Sequence, residues 1–236
     1  MLQLTNEAPF AKGGNRLCFI HPQYSDRCIK VRRPDFTLEQ LRKKKGFPKN
    51  LKPLSSFDDN LEEYNVIESL KKHAGDSIFQ VISQYFGFEE TDMGRGLVSS
   101  LVRDESGSIS HTLKQVIWDE GYTQNCKDAV STFSDYWIEL SLPSRDLLLH
   151  NIVAQRGIDG TINRLYVIDG LGSPNIMPYW WLPKNAQRKK AMRRINNLHT
   201  RIESLISLRG SKNFPGYHGQ LLHDGLPSTQ NCKSEI

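Results

Sequence analysis

Three polar residues pose the chemical question. Asp146 and Asn151 lie in the run Arg145-Asp146-Leu147-Leu148-Leu149-His150-Asn151, and Asp169 ends the apolar run Val167-Ile168 eighteen residues past Asn151. An aspartate can orient an attacking hydroxyl, while an asparagine and a second aspartate offer hard oxygen donors to Mg²⁺. Such a set is the acidic half of a phosphoryl-transfer site. An isolated Asp-Gly pair such as Asp169-Gly170 usually marks a turn. The order and spacing carry the inference, because the interval from Asn151 to Asp169 just accommodates a hairpin whose second strand returns Asp169 to Asn151.

The same chemistry needs main-chain amides over phosphate oxygens, a lysine on those oxygens and a carboxylate to hold the lysine. Each has a candidate upstream, in the required order. Lys12-Gly13-Gly14-Asn15 would let amides approach a phosphate with no Cβ in the way, with Gly13 and Gly14 as the cradle. Lys30 ends Arg27-Cys28-Ile29-Lys30, and strand alternation places it on the same face as Cys28. Glu63 sits in the one helix expected between the strands. Glu62, a residue earlier and so about 100° around the helix, points elsewhere.

Elements that could position these groups are legible in the periodicity. Leu17–Ile20 and Arg27–Val31 read as antiparallel strands joined by a turn-rich connection, and Asp58 or Asp59 caps a helix running to about Lys72. Val81–Phe86 and Gly96–Leu101 read as two further strands, giving β-β-β-α-β-β up to about residue 104. Arg42-Lys43-Lys44-Lys45, with Lys49 and Lys52, reads as a basic loop. Beyond residue 105 the pattern turns helical: a short helix capped by Ser110 through Trp118, then a longer one from Thr123 or Asn125 to about Leu140. Ile152–Ala154 and Leu165–Ile168 form a hairpin. A long helix follows from about Pro183 to Leu208, and 209–236 is expected to be loose. These readings divide the chain into a β-rich region (1–104), a helical region carrying the Asp/Asn motifs (105–208) and a tail (209–236).

Composition narrows the class. Of 236 residues 38% are hydrophobic and 24% charged, and no apolar run approaches the roughly 18 residues that span a bilayer. The opening residues Met1–Glu7 lack the basic and apolar regions of an export signal. Cys18, Cys28, Cys126 and Cys232 are widely spaced without a Cys-x-x-Cys pair, so neither a zinc site nor a disulfide framework is indicated, and a reducing cytoplasm is expected. Between Pro178 and Gly210 eight cations face the single anion Glu203, a net +7 that leaves −2 for the rest of a chain of formal charge +5. That helix either presents a solvated basic face or attracts an anionic partner. Tyr179-Trp180-Trp181 reads as a packing anchor or as an acceptor contact.

The chain resembles the bacterial YrbL family, the PhoP regulatory network proteins, within the protein-kinase-like superfamily. The resemblance rests on Gly13, Arg16-Leu17-Cys18-Phe19-Ile20-His21-Pro22, Arg27-Cys28-Ile29-Lys30, Glu63, Tyr85-Phe86-Gly87, Glu90-Thr91-Asp92-Met93-Gly94-Arg95-Gly96, Asn151-Ile152-Val153 and Val167-Ile168-Asp169. It implies an α+β, two-lobed kinase-like fold: a small antiparallel sheet with one helix, a mainly helical lobe, and ATP and Mg²⁺ in the cleft. Carried over by position, Lys30 contacts phosphates, Glu63 pairs with it, Asn151 and Asp169 bind metal and Asp146 orients the acceptor. The chain departs from protein kinases at Ser144, where they have His, and at Gly170, where they have an aromatic. It also has no Ala-Pro-Glu after Asp169 and only 67 residues beyond it, which disfavours protein substrates.

Three functions follow as expectations. The first is an ATP-dependent phosphotransferase acting on a small molecule or a lipid-linked sugar, with the basic helix attracting an anionic acceptor. The second is a non-catalytic nucleotide-binding module that signals through a regulatory protein partner. The third is a nucleic-acid or membrane-surface binder using Lys184 to Arg201, with nucleic acid the less expected partner; its binding would be steeply salt-dependent and would survive loss of Lys30 and Asp169.

Overall fold

Five antiparallel strands form one sheet in the order β1-β2-β3-β5-β4. They are β1 (Ala11–Lys12), β2 (Arg16–Ile20), β3 (Arg27–Arg32), β4 (Tyr85–Thr91) and β5 (Gly94–Ser100). A separate hairpin pairs β6 (Ile152–Arg156) with β7 (Ile162–Val167), Ile152 opposite Val167. Among the described residues five α-helices complete the mixed α+β structure: α1 (Leu38–Lys45), α2 (Asp59–Ala74), α3 (Leu113–Glu120), α4 (Gln124–Glu139) and α5 (Lys184–Leu208). The computed structural model describes residues 1–51, 53–171, 179–210 and 213–226. Lys52 and Cys232 lie outside them.

The packing divides into unequal clusters. Alternation along β3 sends Ile29 and Val31 to one face, where they bury with Phe19, Val98 and Leu4, and Cys28 and Lys30 to the other. The larger cluster is built by α3, α4, α5 and the β6–β7 hairpin around Trp137, Leu142 and Leu198. Helix α2 lies between sheet strands in sequence, yet its Ile67 and Leu70 join this larger cluster. The segment after α2 follows it: Ile82 bridges Val167, and the Ser83 N–H donates to the Val167 carbonyl at 3.1 Å.

Several expectations are corrected. The basic stretch at 42–45 is helical, in α1, because Thr37 and Gln40 form a reciprocal capping box at its start. Val81 and Ile82 belong to the core and not to a strand; β4 begins at Tyr85, its first residues offset by a bulge. Thr112 caps α3 in place of Ser110, whose hydroxyl donates instead to Asp104 Oδ1 at 2.5 Å. Thr123 caps α4, while the Asn125 amide oxygen accepts from the Ile162 N–H at 2.7 Å. The tail is not loose where it is described: residues 213–226 pack against α3 and the sheet, with Leu222 N–H donating to Phe10 O at 2.7 Å.

Helix α5 buries Ile195, Leu198, Ile202 and Leu205 and exposes Arg188, Lys189 and Arg193, a solvated basic face. Tyr179 and Trp180 act as anchors. The Tyr179 hydroxyl donates to Ser141 O at 2.7 Å, and Trp180 stacks on His73 with ring centroids 4.5 Å apart, whereas Trp181 is exposed. Among the described residues no helix is long and apolar enough to cross a membrane.

Candidate functional site

Strand β3 delivers Lys30 into the seam between the sheet and the larger cluster. Its Nζ donates to Glu63 Oε1 at 2.8 Å, to the Ile168 carbonyl at 2.6 Å and to the Tyr85 hydroxyl at 3.2 Å. Lys30 and Glu63 are each only 5% exposed. Desolvation lowers the Lys30 pKa, but the facing Glu63 carboxylate, together with Tyr85 and Asp169, outweighs it and keeps the ammonium protonated well above its ordinary range. Glu62 points away, as the helical phase requires, and pairs with Arg145 at the surface.

A second buried cation, from β2, shares the seam. Arg16 bridges Glu63 and Asp169 and donates to the Asn60 amide oxygen at 3.0 Å. Asn60 in turn donates to the Lys30 carbonyl at 2.8 Å, which ties α2 to β3. Burial would raise the Asp169 pKa, but the charges of Arg16 and then Lys30 hold it well below the ordinary carboxylate value. Tyr85 moves the other way, since burial and then the Glu63 charge raise its phenol, leaving it a neutral donor to Glu63. Two cations thus meet two carboxylates, with all four groups satisfied within the chain.

The β6–β7 hairpin brings Asn151 and Asp169 together as the spacing predicted. Ile168 N–H donates to Asn151 O at 2.9 Å, and Gly170 N–H donates to Asp169 Oδ1 at 2.6 Å. Gly170 has φ +80°, and a Cβ there would stand 2.7 Å from the Asn151 amide nitrogen, so this backbone favours glycine.

A cavity of about 270 Å³ opens beside these groups. Lys30, Arg16, Asn151 and Asp169 form its charged end; Phe10, Leu101, Ile109 and Leu221 form its apolar end. Gly13 and Gly14 line it as well, although the Gly13 N–H is committed to Arg16 O at 2.9 Å. A smaller space of about 220 Å³ adjoins the charged end, where Glu62, Glu63 and Arg145 border it.

Asp146 lines neither space. One carboxylate oxygen is paired with Arg201 of α5, and the other is buried with no hydrogen-bond partner. Its main chain is nevertheless close to the turn after Asp169: the Asp146 carbonyl oxygen would stand 3.4 Å from a Cβ at Gly170, and the preceding Arg145 N–H donates to Gly170 O at 3.3 Å.

Arg16 is the residue that sequence reasoning did not single out as functional. Its signal was weak: an arginine opening an apolar strand is ordinarily a surface residue, and only the fold reveals the carboxylates around it. The Thr91-Asp92-Met93-Gly94 segment lies outside both spaces and closes the β4–β5 hairpin, where Thr91 Oγ1 donates to Gly94 O at 2.6 Å. Asp92 holds the N-terminal segment through the amides of Leu4, at 2.7 Å, and Thr5, at 3.1 Å. Cys18, Cys28 and Cys126 are free thiols.

Comparison with known proteins gives the chain a family. The chain is similar to the protein YrbL of Escherichia coli (strain K12), 24% identical over 184 residues that cover 75% of this chain and 77% of the relative. The YrbL protein of Shigella flexneri matches with the same identity and coverage. The model of the family described as PhoP regulatory network protein YrbL matches residues 2–203, a span that takes in Lys30, Glu63, Asp146, Asn151 and Asp169, and the chain therefore belongs to that family.

Proposed function

We propose that the chain is a two-lobed, kinase-like protein that binds a Mg²⁺-nucleotide in the seam and transfers a phosphoryl group to a small molecule or a lipid-linked sugar. The observation that carries this reading is the buried Lys30–Glu63 pair set beside Asp169 at the charged end of a cavity whose other end is apolar. A polyphosphate joined to a flat, weakly polar base matches that division.

The donor set suits the metal. A carboxylate from Asp169 and an amide oxygen from Asn151 are hard ligands of the kind Mg²⁺ accepts, and Asp169 stays ionised at any ordinary pH. Such an ion supplies neutralisation of phosphate charge. Lys30 binds the phosphates and Glu63 aims it. Arg16, beside Lys30 in the seam, would be a second cation for the phosphates. Gly14 and Asn15 contribute the main chain over the phosphates. Asp146, through its unsatisfied oxygen, orients the acceptor hydroxyl. The boundary between the sheet region and the helical region falls near residue 104 in this reading.

A second reading, a nucleotide-binding regulator without catalysis, draws on one specific observation: Asp146 is turned toward Arg201 and stands outside the cavity. The family's regulatory description also supports it.

Thermal unfolding with ATP and Mg²⁺ tests both. Ligand at about 100 times its Kd stabilises the native state by about 2.7 kcal/mol, and Lys30→Met and Asp169→Ala are expected to abolish the shift. No shift in the wild type sinks both readings. Where binding is seen, a phosphate-release and acceptor screen on Asp146→Asn separates catalyst from regulator.

A further inference from the structure

Beyond α5 the chain turns back across the cleft. The Arg209 guanidinium donates to the carbonyls of Trp118 and Asp119, each at 2.9 Å, and so caps the end of α3. Phe214 meets Trp118 edge-on at 5.8 Å. Lys114 of α3 then donates to the carbonyls of Pro215 and His218, and Thr112 Oγ1 donates to Gly219 O at 2.6 Å. The segment ends on the sheet side, where Ile109 N–H donates to Asp224 O at 2.8 Å. These anchors run from α3, part of the larger cluster, to Ile109, which packs with Phe10, Cys28 and Leu101.

The segment passes tightly at Gly219. It has φ +93°, and a Cβ there would stand 2.8 Å from His150 Cβ and 3.0 Å from Thr112 Oγ1, so the main chain passes too near for any side chain. On either side, His218 stacks on His150 at 5.2 Å and Leu221 packs with Phe10, Cys28, Leu101 and Ile109. His218, Gly219, Gln220 and Leu221 line the cavity. The family match ends at residue 203, so this wall is built from sequence outside the span that marks the family.

We propose that residues 218–221 are ligand-contacting residues that complete the apolar end of the cavity and select the flat heteroaromatic base of a nucleoside triphosphate, with Leu221 against the base. The occupant rests on the nucleotide reading above; the wall does not. Without the segment, Phe10 and Ile109 open to solvent and the charged end alone remains to bind, so affinity shifts from the base to the phosphates. Wall and charged end therefore respond to different parts of one ligand.

Titration calorimetry on the full chain with Mg²⁺ tests this, using ATP and, as a probe lacking the base, inorganic tripolyphosphate. Leu221→Ala removes apolar contact, while Gly219→Val drives the segment off His150; a match to the wild-type circular dichroism shows that each variant folds. Both variants are expected to bind ATP at least about tenfold more weakly and tripolyphosphate as the wild type does. Wild-type ATP affinity in both variants overturns the inference and leaves the nucleotide reading intact. Equal loss of ATP and tripolyphosphate also overturns it, by showing that the segment supports the whole site. Failure of the wild type to bind either ligand overturns the nucleotide reading and the base assignment together.

Discussion

The carboxylates of the seam and the carboxylate of Asp146 are held in opposite ways. Glu63 is 5% exposed and gives both its oxygens to buried cations, and Asp169 is paired with Arg16 and with its neighbour's amide. Asp146 has one oxygen on a half-exposed arginine and the other on nothing. Satisfied buried networks are rigid, whereas an unsatisfied buried oxygen is a standing cost that a ligand can relieve. The proposed nucleotide end is thus set in advance of binding, and the proposed acceptor end is completed by its substrate.

The largest effect that separates the two is on stability. Glu63→Ala leaves Lys30 and Arg16 buried without their shared partner, and about 3–5 kcal/mol of loss is expected in urea unfolding. The adjacent Glu62→Ala breaks only a surface pair, with an expected cost below about 1 kcal/mol. Comparable losses in the two variants would mean that water reaches the seam.

Function gives the next contrast. On the phosphotransferase reading, Asp146→Asn lowers turnover by about 10²–10⁴-fold while leaving Mg²⁺-ATP affinity within about threefold of wild type. A parallel fall in affinity would move Asp146 into the nucleotide end.

Dryness can be probed without a ligand. Cys18 lies opposite Lys30 in the β2–β3 register, and burial, reinforced by Cys28, pushes its thiol up to about 12. At pH 8 only about one molecule in 10⁴ then carries the thiolate, and reaction of Cys18 with a disulfide reagent is expected to be far slower in the native chain than in the unfolded one. Prompt labelling of native protein would show an open seam.

The smallest effect belongs to a half-buried carboxylate. The amide of Leu4, then that of Thr5, hold Asp92 below its ordinary pKa of 3.8. Its contribution is therefore present above 3.8 and fades as pH falls through the lower folded value. Loss of hydrogen-exchange protection at Leu4 and Thr5 is expected in that acid window, and Asp92→Asn should remove the pH dependence.

What the sequence disclosed and what it hid differ in range. Lys30, Glu63, Asn151 and Asp169 were legible because strand alternation, helical phase and hairpin length act over a few residues, and the structure brings the four to one seam. Arg16 was not, since its partners Glu63 and Asp169 lie 47 and 153 residues away. The folded tail was hidden for another reason: it is held largely through its own carbonyls, by Lys114 and Thr112, and a carbonyl leaves no mark on residue type. Helix α1 was a missed signal, because Thr37 and Gln40 stand in the sequence at capping-box spacing. Val81-Ile82 misled because an apolar β-branched pair suits a core turn as well as a strand.

The placement of α2 has a mechanical consequence. Rooted through Ile67 and Leu70 in the larger cluster, it carries Glu63 with the helices, while Lys30 and Arg16 ride on the sheet. Both cations of the seam ride on the sheet, and Glu63, Asp169 and the Ile168 carbonyl reach them from outside it, while the Tyr85 hydroxyl, on β4, stays with Lys30. A rotation of the sheet against the helices cannot loosen one of the contacts from outside and spare the others. Opening is then a concerted unlatching, and the Lys30–Glu63 separation is a gauge of how far it has gone.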